Sequence, residues 1–399
     1  MDRKVVYMDY SATTYTKPEV LEEMLPYFTG AFGNPSSKFY SISSEPIEAI
    51  NLGRERVAKS INAEKNEIYF TSGGSEADNW AIKGIAFAHK NKGNHIITTK
   101  IEHHAVLNTC KFLEKNGFEV TYLPVNEEGL INLEDLKNAI KDNTILVSIM
   151  FANNEIGAIQ PIKEIGEICR EKKVLFHTDA VQAMGHIPID VKDMNIDMLS
   201  MAGHKFYGPK GIGALYIRKG IKIENLIHGG GQEQGKRGST ENVPGIVGIG
   251  KAIELATEHL DEEKERLTKM RDRLIKELME RIPHVKLNGP TGDRRLPNNV
   301  NLSFVGIEGE TLLLDLNFEG VCASTGSACA SGDLDPSHVL LSIGLTHGIA
   351  HGSLRLTLGE GSKEEDVDYI LNTLPGIVKR RREMSPYWEE YLKSLKEGK

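Results

Sequence analysis

Glu67-Ile-Tyr-Phe-Thr-Ser-Gly-Gly-Ser-Glu76 runs from strand formers through two glycines into a helical pattern that lasts to Lys90. A strand, a tight glycine turn and a helix in that order are the repeating unit of a wound sheet. The unit recurs on both sides. His95–Thr99 reads as a strand and Ala105–Asn116 as a helix. Thr144–Met150, Val174–Thr178, Asp197–Met201 and Ile212–Ile217 repeat the strand signal, with a helical pattern at Ile162–Lys172. Such alternation predicts an α/β fold with a mostly parallel sheet and helices on both faces. Sheets of this kind bind ligands at the carboxyl ends of their strands.

Beyond Gly250 the texture changes. Ile253–Arg281 predicts one long, charge-rich amphipathic helix, followed by a strand at Asn299–Phe304 and a helix at Glu310–Phe318. A strand at Ser353–Leu358 and a closing helix from Lys363 complete the pattern. The expected organisation is a large domain over residues 15–255 and a smaller α+β domain made of 1–14 and 256–399. The 399 residues suit two domains of ordinary size.

Hydrophobic residues are 40% and charged residues 26%, with a net charge of −8 and no basic block, so nucleic-acid backbone binding is not expected. No apolar run approaches the roughly 18 residues of a membrane helix, and residues 1–14 show no leader pattern. Cys110, Cys169, Cys322 and Cys329 form no CxxC pair and are too few for a disulfide framework. A cytoplasmic protein with free thiols and no resident metal is the expectation.

Four clusters carry chemistry. Ser72-Gly-Gly-Ser-Glu76 places glycines and free amides where a phosphate can sit, although a plain helix-capping turn reads equally well. Asp179 ends the strand signal, where a carboxylate meets a cofactor's positive nitrogen or simply caps a helix. Lys205, in Ala202-Gly-His-Lys205, follows the next strand, where it is either a surface lysine or the amine for an aldehyde cofactor. Ala323-Ser-Thr-Gly-Ser-Ala-Cys-Ala-Ser-Gly-Asp333 is built almost wholly of small residues and predicts a mobile tether for Cys329, with a helix restarting near Pro336 capped by Asp335. Cys110, Cys169 and Cys322 read as structural.

These motifs together resemble the NifS/IscS family of cysteine desulfurases, with the fold-type I aminotransferase-like architecture. The resemblance runs through Asp9-Tyr-Ser-Ala-Thr-Thr14, Phe70–Glu76, Glu102-His103, Asn153-Asn-Glu-Ile-Gly157, His177–Gln182, Gly203–Gly211 and Gly326-Ser-Ala-Cys329. It implies pyridoxal 5'-phosphate held covalently by Lys205, with His103 over the ring and Asp179 at the ring nitrogen. Gln182 and Asn154 resemble ring-oxygen and substrate contacts. Gly74, Ser75, Ala202, Gly203 and His204 match the phosphate-binding surroundings, and Thr240 matches a contact supplied by the second subunit of a homodimer. Arg355 resembles the clamp on the carboxylate of L-cysteine, and Cys329 the persulfide carrier and at most a transient iron–sulfur ligand. The family usually has a serine where Ala202 stands, an arginine at Gln234 and the reverse order at Gly238-Ser239, and residues 34–43 lack its common histidine and glycine. The implied activity is conversion of L-cysteine to L-alanine, with sulfur passed to an iron–sulfur scaffold or a tRNA-thiolation enzyme. Selenocysteine lyase, an aminotransferase and a catalytically idle scaffold are the rival readings.

Overall fold

The computed structural model describes residues 5–37, 39, 41–325 and 336–396. A short strand β1 (Val6–Tyr7) comes first, and seven strands then build the main sheet. They are β2 (Ile68–Thr71), β3 (His95–Thr99), β4 (Glu119–Leu123), β5 (Thr144–Ser148), β6 (Leu175–Asp179), β7 (Met198–Ala202) and β8 (Gly213–Ile217). Their order is β2-β8-β7-β6-β5-β3-β4. Only β8 runs against its neighbours, so the parallel expectation holds with one exception.

The pleat sorts alternate residues into two apolar cores. Ile97, Val147, Phe176 and Leu199 pack beneath helices Ser44–Ser60, Ile162–Lys172 and Val243–Glu258. Ile96, Leu146, Met198 and Leu215 pack beneath Gly74–Ala88 and His104–Glu114. Burial on both faces explains why these strands read as continuous apolar runs. Each such side chain contributes roughly 1.5–3 kcal/mol. Edge strand β4 was not anticipated: its Glu119 is exposed and its next three residues are only half-buried.

A third core gathers around β9 (Val285–Leu287), β10 (Asn299–Phe304) and β12 (Ser353–Thr357), antiparallel in the order β12-β10-β9. Helices Leu260–Arg281, Gly309–Phe318 and Glu364–Glu383 cover it. Before β12, strand β11 (Val321–Cys322) pairs in parallel with β1, and Val6 and Met8 join this core. The single helix expected over Ile253–Arg281 is two: Val243–Glu258 and Leu260–Arg281 break at His259, whose φ of −113° and ψ of 15° leave the helical region. A further helix, Pro386–Lys396, follows the closing one. Near the cysteine segment the helix starts at His338, and its cap is Ser337, whose side chain accepts from the Val339 and Leu340 amides. The structure thus places the cap two residues beyond the expected Asp335, which lies outside the described residues.

Candidate active site

The carboxyl ends of β5, β6 and β7 and the turn after β2 open into one cavity of about 450 Å³, within the usual range for a small-molecule site. Its wall holds Gly74, Ser75, His103, Asn154, Asp179, Gln182, Ala202, His204, Lys205 and Arg355. Ten of the residues singled out from sequence therefore meet in one place. Asp9, Ser11, Ala12, Asp78, Met150, Ala152, Val181 and Ser324 complete it.

The glycine turn seats the helix start. Gly73 has φ 158°, a conformation that side chains rarely adopt. Across from it, a Cβ on Gly213 of β8 would stand 2.7 Å from the Gly73 carbonyl carbon. Only two glycines let this turn lie on the strand. Gly74 and Ser75, the first residues of helix Gly74–Ala88, then line the cavity, and the free amides of a helix start suit a phosphate.

His103 caps the helix His104–Glu114, and its Nδ1 accepts from the Ala105 amide at 3.1 Å. That bond puts the ring proton on Nε2. Burial pushes its pKa down, while Asp179 pushes it up less strongly, so the ring is neutral at neutral pH. Asp179 ends β6 and accepts from the Val181 amide at 2.9 Å. Burial raises its pKa, and His103 and Lys205 counter that. A cationic ring nitrogen beside it would hold it ionised.

Lys205 sits in the turn after β7, and its Nζ donates to the carbonyls of Ser11 and, at 2.8 Å, Ala12. Gln182 Nε2 donates to the same Ser11 carbonyl at 3.0 Å. Thr13 and His204 Nδ1 are 3.0 Å apart, and Thr14 bonds the His204 carbonyl. The motif Asp9–Thr14 thus forms one wall.

Asp78 was not singled out. It is a buried residue of the cavity wall that also holds Asp179, and its Oδ1 has no hydrogen-bond partner among the described residues. His177 Nε2 lies 3.7 Å from that oxygen. Burial pushes the carboxyl up and the imidazole down to about 3, so the imidazole is neutral and this is no ion pair. His177 bonds Ser148 at 2.8 Å and Ser200 at 2.9 Å instead. Unfolded histidine binds its proton near pH 6.5, so between about 6.5 and 3 the unfolded chain holds the extra proton and stability falls as pH falls. Between pH 6.5 and 5 the wild type should lose about 2 kcal/mol more than His177→Gln. Denaturant midpoints at both pH values check this; equal slopes would refute it. Glu102 lies beside His103, its pKa raised to about 8 by burial, and accepts from Thr99 at 2.7 Å and the Met150 amide at 3.0 Å.

Three named residues are elsewhere. Gly203 lies behind the wall, bonded to the Ile212 carbonyl. Thr240 is exposed and lines a smaller cavity of about 120 Å³ with Ser72, Glu233 and Arg237. Its loop is held by Glu233 on Arg54 at 2.7 Å and by Arg237 on Glu76 at 2.6 Å. Cys329 lies outside the described residues. Cys110 and Cys169 are buried, as expected, with burial raising both thiol pKa values.

The residues present fit pyridoxal phosphate: an amine, a buried carboxylate and a helix start share one cavity, at the sheet edge where ligands of such folds sit. The architecture is that of the fold-type I pyridoxal-phosphate enzymes. The family model described as aminotransferase class-V matches residues 6–370. A cysteine desulfurase IscS of Clostridium botulinum is 72% identical over 395 residues, covering 99% of both chains. A solved structure titled NIFS-like protein is 41% identical with a TM-score of 0.88, covering 94% of this chain and 100% of that one. Another, titled SspA in complex with cysteine, is 41% identical with a TM-score of 0.79, covering 88% and 98%. The chain belongs to the class-V aminotransferase family, among its pyridoxal-phosphate-dependent cysteine desulfurases.

Proposed function

We propose that the protein converts L-cysteine to L-alanine, holds the sulfur as a persulfide on Cys329 and passes it to an acceptor of iron–sulfur assembly or tRNA thiolation. The observation that carries this is the meeting of Lys205, Asp179, His103 and Arg355 in one cavity, with Ser324, five residues before Cys329, in its wall. The cysteine in the related solved structure supports the substrate.

Pyridoxal phosphate, when bound, supplies an electron sink for the substrate's Cα. Gly74, Ser75 and His204 would hold its phosphate near Ala202 and Gly203, Asp179 would meet the ring nitrogen and Gln182 the ring oxygen. Arg355 binds the substrate carboxylate through its fork of donors, and Asn154 orients the substrate. Lys205 Nζ is the base at Cα. Neutral His103 moves a proton at the substrate thiol through Nε2. Cys329 attacks the substrate sulfur as thiolate: the S–S bond forms and the Cβ–S bond breaks. The electron pair left on Cβ takes a proton, so cysteine plus thiol gives alanine plus persulfide, without net oxidation.

The acting unit in this reading is a homodimer. Thr240 stands outside its own chain's cavity, and Leu21, Leu25, Phe28 and Phe32 are exposed apolar side chains of the kind that a partner covers. Residues 15–255 and the combination of 1–14 with 256–399 act as two domains, with Asp9, Ser324 and Arg355 brought to the cavity by the smaller. A thiol carrier suits the reducing cytoplasm, and no helix among the described residues is long and apolar enough to cross a membrane.

The test is alanine release from L-cysteine by the purified protein, with sulfide appearing when a reductant is added. No alanine would end this reading. The same assay on mixed Lys205→Ala and Thr240→Ala chains tests the shared site, because one site of each heterodimer is then intact. Activity no higher than either parent's, with subunit exchange verified, would rule out sharing.

A further inference from the structure

We propose that Asp9 is an internal competitor for the substrate carboxylate: it occupies Arg355 while no amino acid is bound, and so weakens the hold on cysteine and alanine alike. This rests on the reading of Arg355 as the carboxylate clamp.

Arg355 lies on β12 with its side chain 3% exposed. A guanidinium so far from water needs a counter-charge. Asp9 supplies it, its Oδ1 accepting from Arg355 Nη2 at 2.9 Å. Arg355 Nη1 donates to the Asn154 carbonyl at 3.0 Å, and Nε is buried with no hydrogen-bond partner among the described residues. The guanidinium is therefore neutralised but keeps donor capacity at the cavity wall.

Asp9 is itself placed. Its Oδ2 accepts from Ser324 Oγ at 2.8 Å, its carbonyl accepts from the Tyr7 hydroxyl at 3.1 Å, and its backbone pairs with Thr357, two residues past Arg355 on β12. Asp9, Ser324, Asn154 and Arg355 all face the cavity that holds Lys205.

A carboxylate reaching Arg355 finds the position already served by another. What the ligand gains is the difference between two carboxylate contacts on one cation, not the whole of one. Ser324 keeps one bond on Asp9 as Arg355 turns to the ligand. Alanine bears the same carboxylate as cysteine, so the competition also speeds product release.

A mere brace for Arg355 and a competitor differ in sign. Loss of a brace loosens amino-acid binding; loss of a competitor tightens it. The experiment titrates L-alanine into the holoenzyme and reads the visible spectrum. Asp9→Asn should bind L-alanine about tenfold more tightly than the wild type, the low end of couplings between close charges. Unchanged or weaker binding overturns the proposal. Arg355→Gln separates the two readings. If it leaves L-alanine affinity unchanged, Arg355 is not the clamp; if it weakens binding while Asp9→Asn fails to tighten it, only the competitor is lost. Where Asp9→Asn is too unstable to titrate, acetate is the probe. It should fill the vacated place and raise the melting temperature of Asp9→Ala more than that of the wild type, and an equal or smaller rise overturns the proposal.

Discussion

Alanine formation from L-cysteine should fall by at least about 10³-fold in Lys205→Ala, because in the proposed reading one change removes both the covalent hold on the cofactor and the base at Cα. The position permits no easy substitute. Lys205 Nζ is fixed by the Ser11 and Ala12 carbonyls, on the wall that also holds Gln182. Lys210, five residues on, donates to the Thr14 carbonyl at 3.1 Å and does not line the cavity. The variant should still fold, since the carbonyls left behind can turn to water or to Gln182. A lost hydrogen bond at a partly open site costs about 1 kcal/mol. Borohydride reduction of the wild-type holoenzyme followed by peptide mapping should place the pyridoxyl group on Lys205. A pyridoxyl group on Lys210, or full activity in Lys205→Ala, would sink the assignment.

Much of the sheet was legible because its strands are buried on both faces and read as unbroken apolar runs. His95–Thr99, Asn299–Phe304 and helix Ile162–Lys172 have the bounds that the sequence suggests. Edge strand β4 was not, since Glu119 and its half-buried neighbours carry no such run. The break at His259 was hidden because apolar residues continue at helical spacing on both sides of it. Lys205 and Asp179 could be found because each sits where a strand ends, which local pattern reveals, whereas His103 was named only through the family resemblance. Asp9 and Arg355 meet from 346 positions apart, and nothing local announces that ion pair. Asp78 was obscured differently: an acid in the first turns of a helix ordinarily answers the helix dipole. Only the fold shows that it is buried with its Oδ1 lacking a hydrogen-bond partner among the described residues.

Cys329→Ser should leave cofactor binding intact and stop catalysis, lowering alanine formation by about 10³-fold or more. Every group assigned to cofactor and substrate binding lies in the described cavity, just behind its wall at Gly203, or on the Thr240 loop, and none of those steps uses the Cys329 thiol. The variant should keep the wild-type visible spectrum and still change it when L-cysteine is added. Sulfur then has no acceptor, because a serine hydroxyl stays protonated at neutral pH where a thiol supplies the anion that attacks. The remaining cysteines offer no replacement. Cys110 and Cys169 are buried, and burial raises the pKa of both thiols, which disfavours the anion. Cys322 lies in β11, paired through Tyr7 with β1 and absent from the cavity wall. The described residues flanking the segment are also tied at the site: Ser324 to Asp9, and Ser337 to Glu155, the neighbour of Asn154. An altered spectrum in Cys329→Ser would mean that the thiol helps to build the cofactor site. Alanine produced at the wild-type rate would mean that sulfur leaves without a carrier on the protein, and a lyase would be the better description.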